Sequence, residues 1–161
     1  MSSTALSHPE PAAAALLDRL VAEAALREQD RVLIIGPRGA GLLCAAARHG
    51  CRSGAEARHA PAHPEPADLV LAPAIASESM ALTIARSARR ALAAGGRLVL
   101  ALPGEAAAGP RALARAIGRG LRAEGFRQIR LRAIAGRDGA ALLLLGTMPQ
   151  PALPRQGGRG A

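Results

Sequence analysis

Apolar residues recur along the chain at two different spacings, and the two spacings alternate. Spacings of three and four residues predict helices over residues 12–28, 42–49, 78–93 and 110–124. The unbroken apolar run that follows Arg31 predicts a strand over residues 31–36 that is buried on both faces, and two further apolar segments predict strands over residues 67–72 and 97–102. Strands that alternate with helices favour an α/β fold of three layers, with a mainly parallel sheet between two layers of helices.

The pattern changes after the last of these helices. Residues 125–134 alternate between apolar and polar side chains, which is typical of a strand with one wet face. The dipeptide Asp138-Gly139 suits a tight primed turn, and the apolar residues 140–145 follow it as a further strand. We therefore expect an antiparallel hairpin to close the sheet at the C-terminal end of the chain.

The chain has 161 residues, which is the length of one domain. We assign residues 12–148 to that domain, residues 1–11 to a disordered lead and residues 149–161 to a disordered tail rich in Pro and Gly. The first residues show neither the basic nor the apolar stretch of a secretory signal, and no apolar run approaches the ~20 residues that span a bilayer. The expected location is the cytoplasm, without membrane contact.

The formal net charge is +9, and every contributing basic side chain is Arg, with no Lys. A general bias in amino-acid composition explains the exclusive use of Arg as well as selection for a basic surface does. Four arginines of the last predicted helix form one stripe at helical spacing: Arg111, Arg115, Arg119 and Arg122. The stripe is the best candidate contact for an anionic partner, either nucleic acid or an acidic protein, and a solvated outer face is the alternative. The single aromatic residue, Phe126, provides no platform for stacking single-stranded bases.

Thiol and imidazole side chains cluster once in the sequence, and the set is His49, Cys51, His59 and His63. Its spacing matches no standard zinc finger, and Pro61 breaks any helix that would align the two later histidines. We therefore expect a solvated loop and no metal. The other cysteine, Cys44, lies in an apolar helical stretch and is predicted to be a small core residue. Ser77 is expected to cap the helix that begins at Glu78.

Several passages, taken in order, carry a resemblance to a known family. A leading helix runs into Asp30-Arg-Val-Leu-Ile-Ile-Gly36, a strand that enters a glycine-rich loop, and Ala67-Asp-Leu-Val-Leu follows as a later strand. The most specific passage is Ala88-Arg-Arg-Ala-Leu-Ala-Ala-Gly-Gly-Arg-Leu-Val-Leu100, and Leu121-Arg-Ala-Glu-Gly-Phe126 and the closing hairpin come after it. Over residues 12–147 the chain resembles the class I S-adenosylmethionine-dependent methyltransferases, whose fold is Rossmann-like.

The resemblance implies where a cofactor would bind. Gly36, Gly39 and Gly41 lie in the loop whose backbone approaches S-adenosylmethionine in that family, and Glu56 is the nearest candidate for the carboxylate that holds the ribose hydroxyls. The loop order, G-x-x-G-x-G, differs from the G-x-G-x-x-G order of nicotinamide dinucleotide sites. The glycines also have a second explanation, because glycine can serve simply to make a tight turn.

The chain departs from the family's pattern in the loop and in the length of one connection. Ile34 stands two residues before the loop, where the family usually carries an acidic residue, and Arg38 and Ala40 replace two loop glycines. The interval 51–68 is too short for the usual second strand, third strand and two helices. We therefore expect the sheet to be missing or reduced at the edge that the second and third strands form. The predicted strand over residues 67–72 is followed by no Asp, Asn, Tyr or His that would position a methyl acceptor.

Three functions remain open. The departures favour a degenerate methyltransferase-like protein that no longer catalyses and serves as a binding or partner subunit. A reduced sheet edge would suit a homodimer or another protein partner. The second function is a small active S-adenosylmethionine-dependent methyltransferase of unknown acceptor, completed by another subunit. The third is an Arg-rich nucleic-acid-binding module that uses the arginine stripe, with affinity that falls steeply as salt rises.

Overall fold

The computed structural model describes residues 11–36, 39–57, 66–104, 109–136 and 139–150. Four helices and six strands follow one another in these residues. Their order is α1 (Pro11–Glu23), β1 (Arg31–Ile35), α2 (Gly39–Arg48), β2 (Ser53–Ala57), β3 (Ala67–Ala72), α3 (Glu78–Ala91), β4 (Leu92–Pro103), α4 (Gly109–Ala123), β5 (Arg127–Gly136) and β6 (Gly139–Thr147).

The strands form one six-stranded sheet in the order β2-β1-β3-β4-β6-β5. The four strands β2, β1, β3 and β4 run parallel, and β6 runs antiparallel to both of its neighbours, β4 and β5. The predicted α/β class, the mainly parallel sheet and the C-terminal antiparallel hairpin are therefore confirmed.

Both faces of the sheet are covered by helices. Helices α1 and α2 enclose one face, with side chains such as Val32 and Ile34, and α3 and α4 enclose the other, with Leu33 and Val70. Successive residues of a strand point to opposite faces, so a strand buried on both faces needs apolar residues at consecutive positions. This requirement explains the unbroken apolar runs in the sequence.

The sheet ends early on the side of β2. Residues 58–66, nine in all, connect β2 to β3, which is fewer than the ~10–12 residues that a crossover containing a helix needs. Within the described ranges, β2 is the last strand on this side, and its residues are exposed or half-buried. The expected reduction of this edge is therefore confirmed, with a short β2 present and no further described strand outside it.

Helix α1 ends at Glu23, earlier than the predicted end at residue 28. Ala25 takes a left-handed backbone with φ of 51°, and the guanidinium of Arg97 in β4 donates to the carbonyl oxygens of Ala24 and Ala25. The chain thus leaves the helix where a distant arginine binds its last carbonyl groups, which is one of the ways a helix end is satisfied.

Helix α3 begins as predicted and ends earlier than predicted. The side chain of Ser77 accepts a hydrogen bond of 3.2 Å from the N–H of Met80, which confirms the predicted cap. The helix stops at Ala91 rather than at residue 93, because Leu92 turns to extended backbone and pairs with Ala67 of β3.

The prediction that Cys44 is a core residue is wrong. Helix α2 turns Leu42, Ala45 and Ala46 into the core, and Cys44 lies on the opposite, exposed side. The residues that face the core are three and four positions apart, and Cys44 does not share that spacing.

Charged side chains hold together the amino-terminal edge of the parallel strands. Asp30, just before β1, is the only charged residue that is buried among those described, and it pairs with Arg97 of β4. The side chain of Arg31 donates to both carboxylate oxygens of Asp68, at 2.9 and 3.1 Å, and its main-chain N–H adds a third bond of 3.0 Å. The side-chain hydrogen bond from Arg31 lowers the pKa of Asp68 below its usual 3.8. These contacts lie at the edge opposite the glycine-rich loop.

The two predicted disordered ends lie almost wholly outside the described residues. The exceptions are Pro11, which is the first residue of α1, and residues 149–150. The disorder of both ends stays a prediction. Within the described ranges, none of the helices has both the length and the apolar character needed to cross a bilayer.

Candidate functional site

The glycine-rich loop begins where β1 ends, at the carboxyl-terminal edge of the parallel strands. Gly36 has φ of 124°, in the region where a side chain would strain the backbone. Its N–H donates to the carbonyl oxygen of Ala57 at 3.3 Å, which fixes the start of the loop beside the end of β2. In sheets of this type, ligands bind outside the carboxyl ends of the strands.

The Glu56 carboxylate lies against the first turn of α2. Its Oε1 accepts a hydrogen bond of 3.2 Å from the N–H of Gly39, the first residue of the helix. A helix amino terminus carries unpaired N–H groups and partial positive charge, so it attracts a carboxylate. A Cβ atom on Gly39 would lie 2.3 Å from Cδ of Glu56, and glycine therefore leaves the room for this approach. Two of the predicted cofactor residues thus contact each other directly.

Gly41 has a different environment from the other two glycines. A Cβ atom there would lie 2.8 Å from Cδ1 of Leu17 in α1, so this glycine allows α1 and α2 to pack closely. The structure therefore brings Gly36, Gly39 and Glu56 together, whereas Gly41 faces a neighbouring helix. That all four residues contact a cofactor stays a prediction.

The position where the related family usually carries an acidic residue belongs to the core of this chain. Ile34 is fully buried between the sheet and helices α1 and α2. A carboxylate at that depth would lose its hydration without gaining a partner. Of the two replaced loop glycines, Ala40 is exposed in the first turn of α2, and Arg38 lies outside the described residues.

The segment after β3 offers no side chain for acid–base chemistry. Residues 72–76 are Ala, Pro and Ile only. Pro73 and Ile75 are buried, Ala74 between them has φ of 60°, and the N–H of Ile75 donates to the carbonyl of Ala101 at 2.8 Å. The next polar side chain, that of Ser77, is engaged in the cap of α3.

A cavity of about 260 Å³ lies away from the glycine-rich loop. It opens between the amino-terminal halves of β1 and β2, on the side of α3, and its lining includes Leu33, Ala55 and Ala91. The one charged residue of its lining is Arg31, whose side chain binds Asp68. The cavity is therefore a feature of the reduced sheet edge rather than a part of the predicted cofactor site.

The predicted arginine stripe is exposed on α4, whose helix is confirmed over Gly109–Ala123. None of its four arginines pairs with a described acidic residue. Three of them border a groove of about 270 Å³ between α4 and the β5–β6 hairpin, and they are Arg115, Arg119 and Arg122. Ile129 and Leu131 also line this groove and were not among the predicted site residues, although the alternation along β5 places both on one face.

The predicted solvated loop of histidines and a cysteine is only partly described. His49 is exposed and Cys51 is half-buried, whereas His59 and His63 lie outside the described residues. Burial raises the pKa of the Cys51 thiol, and the Asp30 carboxylate raises it further. In the part of the chain that the structure describes, no three His, Cys, Asp or Glu side chains are grouped to hold a metal ion. The solvated loop stays a prediction.

Several solved structures are similar to this chain, and methyltransferases are among them. TrmN from Thermus thermophilus superposes with a TM-score of 0.64 and 18% sequence identity, over 84% of this chain and 48% of TrmN. The S-adenosylmethionine-dependent methyltransferase SibL, in its apo form, gives a TM-score of 0.59 and 19% identity, over 85% of this chain and 56% of SibL. The ribosomal protein L11 methylase of Lactobacillus delbrueckii subsp. bulgaricus gives a TM-score of 0.63 and 18% identity, over 86% of this chain and 79% of the methylase.

The likeness shows a fold: the chain has the class I methyltransferase-like Rossmann fold. It spans about half the length of TrmN and SibL. A shared fold hosts many functions, so the function has to be argued from the residues of the site. No protein-family model and no curated protein sequence matches the chain.

Proposed function

We propose that this chain is a methyltransferase-like binding subunit that does not itself transfer methyl groups. The observation that carries the proposal is the contact between Glu56 and Gly39. The helix N–H that would face a cofactor already has a carboxylate as its acceptor, and the carboxylate that would hold ribose hydroxyls already has a donor. A cofactor would have to displace this contact before it could use either group.

The surroundings of that contact support the same interpretation. On the side of β2, no further described strand extends the sheet past Glu56, so the described residues provide little wall for an adenine ring. On the other side, residues 72–76 carry no acid or base that would orient or deprotonate a methyl acceptor. A binding subunit needs neither of these features.

A second candidate is a small S-adenosylmethionine-dependent methyltransferase completed by another subunit. Gly36, Gly39 and Glu56 converge at the carboxyl edge of the strands, where ligands bind in sheets of this type, and this convergence favours it. SibL, which has a similar fold, is an S-adenosylmethionine-dependent methyltransferase. In this case Glu56 would turn from the helix to the ribose, and the second subunit would supply the adenine wall and the acceptor base.

Thermal unfolding of the purified chain with millimolar S-adenosylmethionine or S-adenosylhomocysteine separates the two candidates. A ligand present at about 100 times its Kd stabilises the folded state by about 2.7 kcal/mol, which raises Tm by roughly 5–10 °C in a chain of this size. We expect no rise, because the proposed subunit lacks a working cofactor site. A rise of this size would contradict the proposal and favour the enzyme.

The variant Glu56→Gln connects any stabilisation to the predicted site. It keeps the size of the side chain and removes the charge that would accept bonds from the ribose, so an enzyme should lose most of the rise. Glu78→Gln is the matched control, because Glu78 is an exposed glutamate in the first turn of another helix, α3. If both variants keep the ligand-induced rise in Tm, Glu56 does not bind the cofactor.

A further inference from the structure

The groove between α4 and the β5–β6 hairpin has an apolar floor. The floor consists of Ile129, Leu131 and Leu144, together with Ala114 and Gly118 of α4. Leu131 is 44% exposed, and no other large apolar side chain of the described residues is classed as exposed. An exposed leucine by itself is ordinary, but here it adjoins further apolar residues in a groove, so a molecule bound in the groove would bury apolar surface.

The floor is formed by the alternation of β5 and by the small residues of α4. Ile129 and Leu131 are two residues apart and therefore point to the same face, and Leu131 pairs across the hairpin with Leu144. A Cβ atom on Gly118 would lie 3.6 Å from Cγ2 of Ile129, so the helix backbone lies close to the sheet there. The apolar residues that α4 contributes to the lining are small, Ala114 and Gly118, and Leu131 keeps 44% of its surface exposed.

The rim of the groove is positively charged. Arg115, Arg119 and Arg122 follow one another at helical spacing, and all three are exposed. Among the described residues, the groove lining includes no Asp or Glu, whereas two arginines of the adjoining helix α3 share the carboxylate of Glu124. Like charges at neighbouring turns of a helix repel one another, so a ligand with negative charges at the same spacing would be attracted to this rim.

We propose that this groove binds an acidic amphipathic helix of a partner protein. Glutamates one turn apart on that helix would face Arg115 and Arg119, and leucine-type side chains on the adjoining stripe would cover Leu131. Charged hydrogen bonds at the rim would fix the orientation of the helix, and these bonds and the burial of the apolar stripe would both contribute to the affinity. The proposal goes beyond the proposed function, because it concerns a surface apart from the glycine-rich loop and holds whether or not that loop binds a cofactor.

The groove suits an acidic helix better than other anionic or extended partners. Its lining contains no aromatic ring on which a base could stack, and Phe126 is fully buried, so nucleic acid would leave the apolar floor unused. Addition of a strand along β5 is hindered by a bulge, since Gln128 has φ of 51° and the register with β6 shifts between Arg127 and Arg130.

Fluorescence anisotropy with a labelled peptide tests the proposal on the full chain. The probe is a helical peptide of about 14 residues with Glu at spacings of three and four and Leu on the adjoining stripe. Two comparison peptides replace all Glu by Gln or all Leu by Ser, and a single-stranded RNA oligonucleotide of similar charge is the nucleic-acid probe. We expect the Glu/Leu peptide to bind about tenfold more tightly than either comparison peptide and than the RNA.

Variants of the chain connect that binding to the groove. The double variant Arg115→Glu/Arg119→Glu should weaken the peptide about tenfold, and Leu131→Ser should weaken it about fivefold. A peptide with Lys in place of Glu should bind the double variant more tightly than the wild type. Arg90→Glu is the matched control and should leave binding unchanged, because Arg90 is exposed on α3 and has no ion pair with a described residue. Circular dichroism melting shows whether each variant is folded.

Three results would overturn the proposal. The first is that the peptide with Ser in place of Leu binds as tightly as the Glu/Leu peptide and that Leu131→Ser leaves the affinity for both peptides unchanged. The groove would then be a surface that binds polyanions in general. The second is that the RNA binds more tightly than the Glu/Leu peptide and that Arg115→Glu/Arg119→Glu abolishes the binding of the RNA. This result would favour a nucleic-acid-binding module. The third is no binding of the Glu/Leu peptide at about millimolar concentration. None of them bears on the glycine-rich loop, whose test uses S-adenosylmethionine.

Discussion

The two edges of the parallel strands differ in the contacts that hold them. At the amino-terminal edge, Arg97 pairs with the buried Asp30, and Arg31 binds Asp68 through three hydrogen bonds. At the carboxyl-terminal edge, the side-chain contact between the glycine-rich loop and β2 is a single bond to an exposed glutamate, Glu56. Among the described residues, the charged contacts that join neighbouring segments are thus more numerous at the amino-terminal edge than beside the glycine-rich loop.

This difference changes what the resemblance to methyltransferases means. The most specific shared passage, residues 88–100, contains Arg97, whose guanidinium binds Asp30 and the end of α1. These contacts lie at the amino-terminal edge of the parallel strands, opposite the edge that carries the predicted cofactor site. Arg97 in this passage therefore has a role in holding the fold, and a likeness there says little about whether the chain shares the chemistry.

The largest effect is expected from Arg97→Ala. The side chains of Arg97 and Asp30 are 17% and 8% exposed, so the variant leaves a buried carboxylate without its partner. We expect the free energy of unfolding to fall by about 3–5 kcal/mol, measured by urea denaturation. Arg90→Ala, an exposed arginine on α3, should change it by about 0.5 kcal/mol at most. A loss below about 1 kcal/mol for Arg97→Ala would show that the amino-terminal edge does not depend on this pair.

A smaller effect is expected at the start of the loop, from Gly36→Ala. The φ of 124° at Gly36 would force the new side chain into strained backbone, at a cost of about 1–3 kcal/mol in the same urea experiment. Gly109→Ala is the matched control, because a Cβ atom there meets nothing within 4 Å and the residue begins helix α4. If both variants lower the free energy of unfolding by the same small amount, the backbone conformation at Gly36 does not require glycine.

The smallest effect is expected from Asp68→Asn, and it should depend on pH. Since Arg31 lowers the pKa of Asp68, the folded chain keeps this carboxylate charged at a lower pH than the unfolded chain does. The pair therefore contributes stability above the usual pKa of 3.8, and the contribution disappears as the pH falls through the lower pKa of the folded state.

Thermal unfolding as a function of pH measures this contribution. Asp68→Asn should lower Tm at neutral pH, and its difference from the wild type should shrink below pH 3.8. Asp18→Asn, which removes an exposed ion pair with Arg48, controls for general effects of acid. A difference that stays constant down to about pH 2 would mean that Arg31 does not stabilise the charged form of Asp68.

The strands were easier to predict than the ends of the helices. Strand β3 spans the predicted residues 67–72, because the consecutive apolar residues from Leu69 to Ala72 fit a strand buried on both faces and Pro73 follows them. The end of α1 could not be predicted, since it depends on Arg97, which lies more than 70 residues later in the chain. The exposure of Cys44 could have been predicted from the spacing of its apolar neighbours in α2.

The candidate sites were predictable only in part. Gly36 and Glu56 can be selected as candidates from the sequence because each stands at the end of a predicted strand, and their contact with a cofactor stays a prediction. The bond from Gly39 to Glu56 was not foreseen, because it depends on the parallel pairing of β1 with β2. In the same way, helical spacing predicted the arginine stripe, but its apolar floor appears only when the hairpin brings Leu131 beside Leu144.

The most direct test is the formation of S-adenosylhomocysteine from S-adenosylmethionine by the purified chain. Small-molecule, RNA and protein fractions of a cell extract serve in turn as sources of methyl acceptor, and Glu56→Gln and Glu78→Gln are assayed beside the wild type. The proposed binding subunit predicts the same background for all three proteins in every fraction. Product that depends on an acceptor fraction, falls in Glu56→Gln and persists in Glu78→Gln would contradict it and would make the carboxyl-terminal edge an active site.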